Sequence, residues 1–307
     1  MLALAWLVAG CRNDDGAPKD QPQPEPVAQT GKVVEPVTDE SRARSYAAIR
    51  ERVEADSQAV VGAEFAEVRA ALREISNDAG DVHLRANAAL LLGSLHELRK
   101  ERAQAIDLYR HASKLVPDDA GPPMVLALAL AADGRYEEAV QVQQTVVELD
   151  PDNLENWLAL GEMRIKAGDE DGGAQAYVDY ERRRKGLIDG LTLTKSGNYL
   201  VSIDERIACA EALASATDVG TAVALLYALE TEPDARVRRA IVQTMGVQRL
   251  EGYQHRLKAY LDEEQDAETK EAVVWALAEI DRDPVKAQPS PSGDEIERED
   301  AAPGIRG

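Results

Sequence analysis

The chain has 307 residues, of which 44% are hydrophobic, 30% are charged and only 4% are aromatic. The scarcity of aromatic residues disfavours an all-β fold, and no apolar run reaches the roughly eighteen residues of a membrane-spanning helix. The formal net charge of −21 argues against nucleic-acid binding, because such a surface repels phosphate backbones. Two cysteines and four scattered histidines argue against a disulfide scaffold and against a metal site.

Residues 1–11 form a short apolar run that ends in Val8-Ala9-Gly10-Cys11. This ending resembles the lipobox of bacterial lipoproteins, a family in which the peptide is cut before the cysteine and the cysteine is acylated. The resemblance implies lipidation of Cys11. The run is short for a signal peptide and lacks a preceding Lys or Arg, so we expect a truncated signal and a true start upstream. The alternative is an apolar chain end with an incidental cysteine.

Two segments have the composition of unfolded chain. Residues 12–38 are rich in proline and polar residues, and their few large apolar side chains cannot offset the entropy of ordering. We interpret them as an extended, acidic linker that would hold a soluble body away from a membrane. Residues 283–307 contain several prolines and an acidic stretch, which predicts a disordered tail.

A period of 34 residues runs through the middle of the chain. It separates Gly134 from Gly168, Pro117 from Pro151 and Ala105 from Ala139, and it links Leu92, Leu126 and Leu160. Repeats of this length are typical of stacked helical hairpins, in which small residues allow close helix contact and proline ends the second helix.

The fragments Trp157-x-x-Leu160-Gly161 and Gly134-Arg-Tyr136-Glu-Glu-Ala139 resemble the tetratricopeptide repeat. The resemblance implies three repeats, at residues 85–118, 119–152 and 153–186, which together cover residues 85–186. Residues 39–80 carry helical apolar stripes without the full repeat pattern, so we predict a degenerate capping hairpin there.

A second period, of 32 residues, begins after Ile203 and links Ala208, Ala240 and Ala272. The segment Pro233-Asp234-Ala-Arg-Val237-Arg238 resembles a HEAT repeat of the bilin-lyase type. We predict helices near residues 204–215, 218–230, 235–246, 252–263 and 267–281, within HEAT-like repeats that span residues 204–282. Residues 187–203 interrupt the helical pattern and form either a small β-hairpin or an irregular connector. The predicted fold is therefore all-α, an α-solenoid of tetratricopeptide hairpins followed by HEAT-like repeats.

No set of catalytic side chains converges in the sequence, so we predict a protein without enzymatic activity, cofactor or metal. His96 lies inside a predicted hairpin and is interpreted as a core residue. Cys209 lies between two alanines and is interpreted as a small buried residue. The basic cluster at residues 182–185 ends a helix, where cations favour the helix dipole.

In tetratricopeptide proteins the first helix of each hairpin lines a concave groove that holds other proteins. Transferred to this chain, that rule predicts a mainly apolar and acidic groove, suited to an apolar helix or strand of a protein or peptide partner. The alternative is that another part of the chain, such as the N-terminal hairpin, fills the groove. The groove candidates are Asn87, Leu90, Ser94, Glu97, Met124, Leu128, Ala131, Leu158, Glu162 and Ile165.

These features favour a scaffold for protein–protein interaction in the bacterial cell envelope. We expect it to be lipid-anchored at Cys11 to a membrane, with the periplasmic face of the outer membrane as the favoured location. Two alternatives remain at this point. One is an enzyme accessory or lyase-like HEAT protein, and the other is a passive structural spacer of the envelope.

Overall fold

The computed structural model describes residues 38–282, and this part of the chain is almost entirely α-helical. Its thirteen α-helices confirm the all-α fold, and none of them is long and apolar enough to cross a bilayer. Cys11, the linker before Thr38 and the tail after Arg282 lie outside the described residues. In chain order the elements are α1 Asp39–Val61, α2 Phe65–Asp78, α3 Val82–Leu98, α4 Arg102–Leu115, α5 Gly121–Ala132, α6 Tyr136–Leu149, α7 Leu154–Lys166, α8 Glu170–Thr192, β1 Thr194–Lys195, β2 Asn198–Tyr199, α9 Ile203–Ala212, α10 Val219–Thr231, α11 Ala235–Gln248, α12 Gln254–Glu263 and α13 Ala267–Arg282.

The described chain forms two compact units, residues 38–134 and residues 135–282. The boundary between the two units lies inside the second predicted repeat. The sequence pattern had instead placed a connector at residues 187–203, between the two kinds of repeat. In the first unit α2 packs on α3, α3 on α4 and α4 on α5. In the second unit α6 packs on α7, α7 on α8, α8 on α9, α9 on α11 and α11 on α13. Within each unit, helices pack on near neighbours in sequence, which is the arrangement of an α-solenoid.

The 34-residue period is visible in the turns between paired helices. Lys100, Gly134 and Gly168 lie 34 residues apart, and all three have positive φ, at 62°, 78° and 85°. A left-handed residue ends a helix and reverses the chain direction, a conformation that glycine adopts without steric cost. The turns therefore set the ends of the flanking helices: α3, α5 and α7 end at Leu98, Ala132 and Lys166, and α4, α6 and α8 begin at Arg102, Tyr136 and Glu170.

The N-terminal pair of helices packs on the first repeat of its unit. Phe65 and Leu72 of α2 are buried in a cluster that also contains Val53 of α1 and Leu92 of α3. The apolar stripes seen in the sequence are thus the faces that bury this cluster. A capping box formed by Thr38 opens α1.

Helix α8 extends beyond the end of the third predicted repeat at residue 186. It continues to Thr192 because Leu191 is buried in the apolar core of the second unit and Leu187 and Ile188 pack against that core. The first part of the predicted connector is therefore helical. The Arg184 guanidinium also donates to the buried Asp218 carboxylate at 2.8 Å, which ties α8 to the start of α10.

The remaining connector residues form the β-hairpin that the sequence left undecided. Thr194 pairs with Tyr199 and Lys195 with Asn198 in an antiparallel register. The two turn residues, Ser196 and Gly197, have φ of 54° and 80°. Two positive φ values in succession define the type I′ turn, whose twist matches that of the strands.

The 32-residue period appears in the helix starts of the second unit. Ser202, Asp234 and Asp266 are 32 residues apart, and each accepts a hydrogen bond from a first-turn amide of the helix that follows it. Thus α9, α11 and α13 begin at equivalent positions.

A pair of equivalent ion pairs reinforces the same repeat. Arg206 donates to Glu232 at 2.9 and 3.1 Å, and Arg238 donates to Glu264 at 2.8 and 2.9 Å. Each guanidinium contacts both oxygens of its carboxylate, the strong two-pronged geometry of such pairs.

Candidate protein-binding surface

The predicted surface residues of α3 are mostly enclosed. Leu90 and Ser94 are buried, and the Ser94 hydroxyl donates to the Leu91 carbonyl at 2.8 Å. Asn87 and Glu97 are half-buried. Because α3 packs against α1, α2 and α4, little of its predicted groove face is left for a partner.

Helix α5 carries the accessible apolar residues of the first unit. Leu128 is 44% exposed, and Met124 and Ala131 are half-buried. The helix has no charged residue between Gly121 and Ala132, so these side chains share an uncharged helix. The large apolar side chain of Leu128 is the principal feature of this part of the surface.

In the second unit, the predicted residues lie on α7. Ile165 is 45% exposed and Glu162 is exposed, whereas Leu158 is half-buried against the main core of the unit. The Glu162 carboxylate accepts a hydrogen bond from Lys166 at 2.6 Å, and this pairing raises the pKa of the lysine. The accessible part of α7 is therefore an apolar side chain beside an exposed ion pair.

Trp157 has a structural role at the start of α7 and is not part of the predicted binding surface. Its indole Nε1 donates to the Pro151 carbonyl at 2.9 Å, and the Arg183 guanidinium lies 5.4 Å from the ring centroid. The indole thus has a local structural role, because it joins the turn at Pro151 to helix α7.

His96 is a core residue, as the sequence predicted. Its ring is buried and meets the edge of Phe65 at a centroid distance of 5.3 Å. Its Nδ1 lies 2.6 Å from the Glu101 carboxylate, which Arg99 also contacts at 2.9 Å. Arg99 and His96 lower the pKa of Glu101. The cluster joins the α2 and α3 helices to the turn that precedes α4.

Cys209 is half-buried on α9, and burial raises the pKa of its thiol, with smaller contributions from Asp152 and Glu205. A raised thiol pKa is the opposite of what a nucleophilic cysteine requires. Within residues 38–282, no three His, Cys, Asp or Glu side chains are grouped so that they could hold a metal ion.

The sequence pattern missed an apolar stripe on α10. Val219, Val223 and Tyr227 recur every four residues and all three are exposed. This spacing places them on one face of the helix. The signal was present as a long uncharged stretch between Asp218 and Glu230, but a buried helix would give the same stretch.

No model of a known protein family matches the chain, and no curated protein matches its sequence. Solved structures similar to it include the Sgt2 tetratricopeptide domain from Aspergillus fumigatus, at 21% identity over 39% of this chain and 93% of that one, with a TM-score of 0.29. MamA 41-end from Desulfovibrio magneticus RS-1 is 19% identical, and the match covers 48% of this chain and 87% of that one, with a TM-score of 0.32. A further MamA structure, MSR-1 C2, is 18% identical, and the match covers 65% of this chain and 95% of that one, with a TM-score of 0.35. The assignment of helical repeats in this chain is therefore based on the positions of its own helix ends and turns.

Proposed function

We propose that this chain is a membrane-anchored, non-enzymatic scaffold of the bacterial cell envelope that binds a partner protein through the first helices of its hairpins. The proposal rests on one observation in each unit, the exposure of Leu128 on α5 of the first unit and that of Ile165 on α7 of the second. Large apolar side chains that stay accessible on predicted binding helices are suited to interaction with an apolar segment of another protein.

The chemistry of the neighbouring side chains indicates which partner fits. On α7, the apolar Ile165 lies on the same helix as Glu162, one turn apart. The whole chain has a formal charge of −21, so an acidic partner would be repelled. We therefore infer an apolar helix or strand, without a net negative charge, as the bound segment.

The binding assay uses membranes that contain the native partner. We expect Leu128→Glu combined with Ile165→Glu to lose capture of this partner, because buried apolar anchors supply most of the binding energy of an interface. Val178→Glu is the matched control, since Val178 is 46% exposed on α8, outside the predicted surface. Both proteins are first checked for native helix content by circular dichroism.

A second variant distinguishes the helical surface from the acidic tail. Deletion of residues 284–307 should leave capture intact and change only its salt dependence. If the tail deletion loses the partner while the Leu128 and Ile165 variant retains it, the helices act as a spacer and the proposed surface is wrong.

Anchoring rests on the resemblance of Val8-Ala9-Gly10-Cys11 to a lipobox and on the proline-rich linker that follows. One acyl chain holds a protein only weakly, so stable attachment needs several chains. The gene, expressed with its upstream region, should incorporate a palmitate analogue and fractionate with membranes. A Cys11→Ser variant that still incorporates the label would refute the anchor.

The surroundings of Cys209 and His96 support a role without catalysis. The Cys209 thiol has a raised pKa, and the His96 ring is buried against Glu101 and Phe65. Both residues are thus engaged in packing, in surroundings unlike those of an activated nucleophile or an accessible general base.

A further inference from the structure

The largest concentration of exposed apolar side chains lies outside the surface described above. Among the twelve large apolar side chains exposed within residues 38–282, three belong to α10 and two lie directly beside the β-hairpin. On α10, Val219, Val223 and Tyr227 are 54%, 59% and 57% exposed. Leu193 and Leu200 flank the hairpin and are joined by a backbone hydrogen bond, and the hydroxyl of the neighbouring Tyr199 donates to the carbonyl of Thr231 at the end of α10.

The exposed stripe is one of two apolar faces of α10. The opposite face buries Leu225, Ala228 and Leu229 in the core of the second unit. Within residues 38–282, the helix therefore buries its core face without using the stripe. Exposed apolar rows of this kind mark interaction sites.

The stripe also lacks charge, in a chain that is otherwise strongly acidic. No charged residue lies between Asp218 and Glu230. At its ends, Asp218 is buried and accepts hydrogen bonds from Arg184 and Thr221, and Glu230 forms an ion pair with Arg256. Two copies of a chain with charge −21 repel each other over most of their surfaces, but the stripes can meet without bringing unpaired like charges together.

We propose that α10 binds α10 of a second copy of this chain in antiparallel orientation. A twofold interface pairs each surface patch with itself. In a stripe of three residues, Val223 then lies at the twofold axis, and Val219 of one copy packs against Tyr227 of the other. Pairing the smallest end of the stripe with its largest side chain gives the two surfaces complementary shapes. The same orientation brings each Glu230 towards the positive N-terminal end of the other α10 helix.

The area of the stripe fits a weak dimer. Five side chains exposed to about half of their surface offer roughly 400–500 Å² of apolar area, the size of functional patches on monomeric proteins. Two such faces bury roughly 800–1,000 Å², which is in the range of weak, transient interfaces. The association is therefore expected to depend on concentration.

The first test measures the mass of the full chain in solution, with Cys11→Ser present to prevent lipidation. Sedimentation equilibrium up to about 200 µM should show a rise from one chain to two, as expected for weak association. Val223→Glu should remain a single chain throughout, because it places two carboxylates against each other at the axis. Val178→Glu should dimerise like the parent. A parent that stays monomeric, or a Val223→Glu variant that dimerises, overturns the proposal.

The second test probes the antiparallel register. Tyr227→Glu alone should lose the dimer, and addition of Val219→Lys should restore it, since each introduced lysine faces an introduced glutamate of the other copy. Val223→Cys should form a disulfide with itself under oxidation, whereas Val178→Cys should not. The parent protein, which retains Cys209, measures the disulfide crosslinking that occurs without an introduced cysteine. If the parent dimerises, but Val219→Lys does not restore the dimer of the Tyr227→Glu variant and Val223→Cys does not crosslink, the interface lies elsewhere and the proposal is wrong.

Discussion

The contact between Gly93 of α3 and Tyr109 of α4 offers a sharp test of the helical packing. Both residues are buried, and Tyr109 is only 1% exposed. A Cβ atom added to Gly93 would lie 2.8 Å from Cδ1 and 3.0 Å from Cζ of the tyrosine ring, and closer still to Cε1. The ring cannot move into solvent, so Gly93→Ala must displace the helix or distort the side chain.

The magnitude follows from two opposing effects. Overpacking of a well-filled core costs about 1–3 kcal/mol. Replacement of glycine by alanine inside a helix returns about 0.5–1 kcal/mol through its higher helix propensity. We therefore expect Gly93→Ala to lower the free energy of unfolding by about 1–2 kcal/mol.

Gly161 of α7 provides the matched control. It occupies the same repeat position two periods later, and an added Cβ would lie 3.2 and 3.3 Å from ring atoms of Tyr177, which is only half-buried. That ring can shift by the few tenths of an ångström required. Gly161→Ala should therefore change the free energy of unfolding by less than about 0.5 kcal/mol, because the two effects nearly cancel.

The assay is urea unfolding followed by circular dichroism, combined with hydrogen exchange of peptides from α3 and α4. In a double-mutant cycle, Tyr109→Leu should reduce the cost of Gly93→Ala, because the smaller side chain leaves room for the added methyl group. A Gly93→Ala variant as stable as the parent, or a double variant whose cost is the sum of the two single costs, would refute the close contact.

Three further predictions concern turns and ion pairs. Lys100→Gly should stabilise the protein by about 0.5–1 kcal/mol, because it removes the cost of a left-handed non-glycine residue, and thermal unfolding measures the gain. Gly134→Ala, at the equivalent turn, should destabilise by about 1 kcal/mol in the same measurement, and an unchanged midpoint would contradict the shared turn geometry. Hydrogen bonds, the largest from Arg238 and others from Tyr260 and the Asp266 and Gln265 amides, lower the pKa of Glu264 from 4.5 to about 2. Since the lowered pKa belongs to the folded state, its stabilisation is present above pH 4.5 and is lost as the pH falls towards 2. Glu264→Gln should lower stability at pH 7 and flatten the acid part of the stability profile, and a profile of parental shape would contradict the pairing.

Several features of the fold were predictable because they depend on local chemistry. Gly134 and Gly168 mark left-handed turns, and a turn residue fixes the ends of both helices beside it. Asp234 caps a helix through a contact two residues away. Each of these signals acts over a few residues, so the sequence alone contains it.

The candidate surface was only partly predictable. The repeat register treats Leu90, Met124 and Leu158 as equivalent, yet Leu90 is buried while the other two are half-buried. The difference arises because α3 also packs on α1 and α2, whose sequences fall outside the repeat pattern. Register identifies the helix face, but only the neighbouring helices decide whether that face is accessible.

The helical repeats and their two periods follow from the amino-acid sequence. The continuation of α8 to Thr192, the contact between Arg184 and Asp218 and the exposed face of α10 follow from the tertiary structure. These three features have one cause. Burial depends on side chains that are distant in sequence, and an uncharged stretch such as residues 219–229 looks identical whether one of its faces is covered or both are.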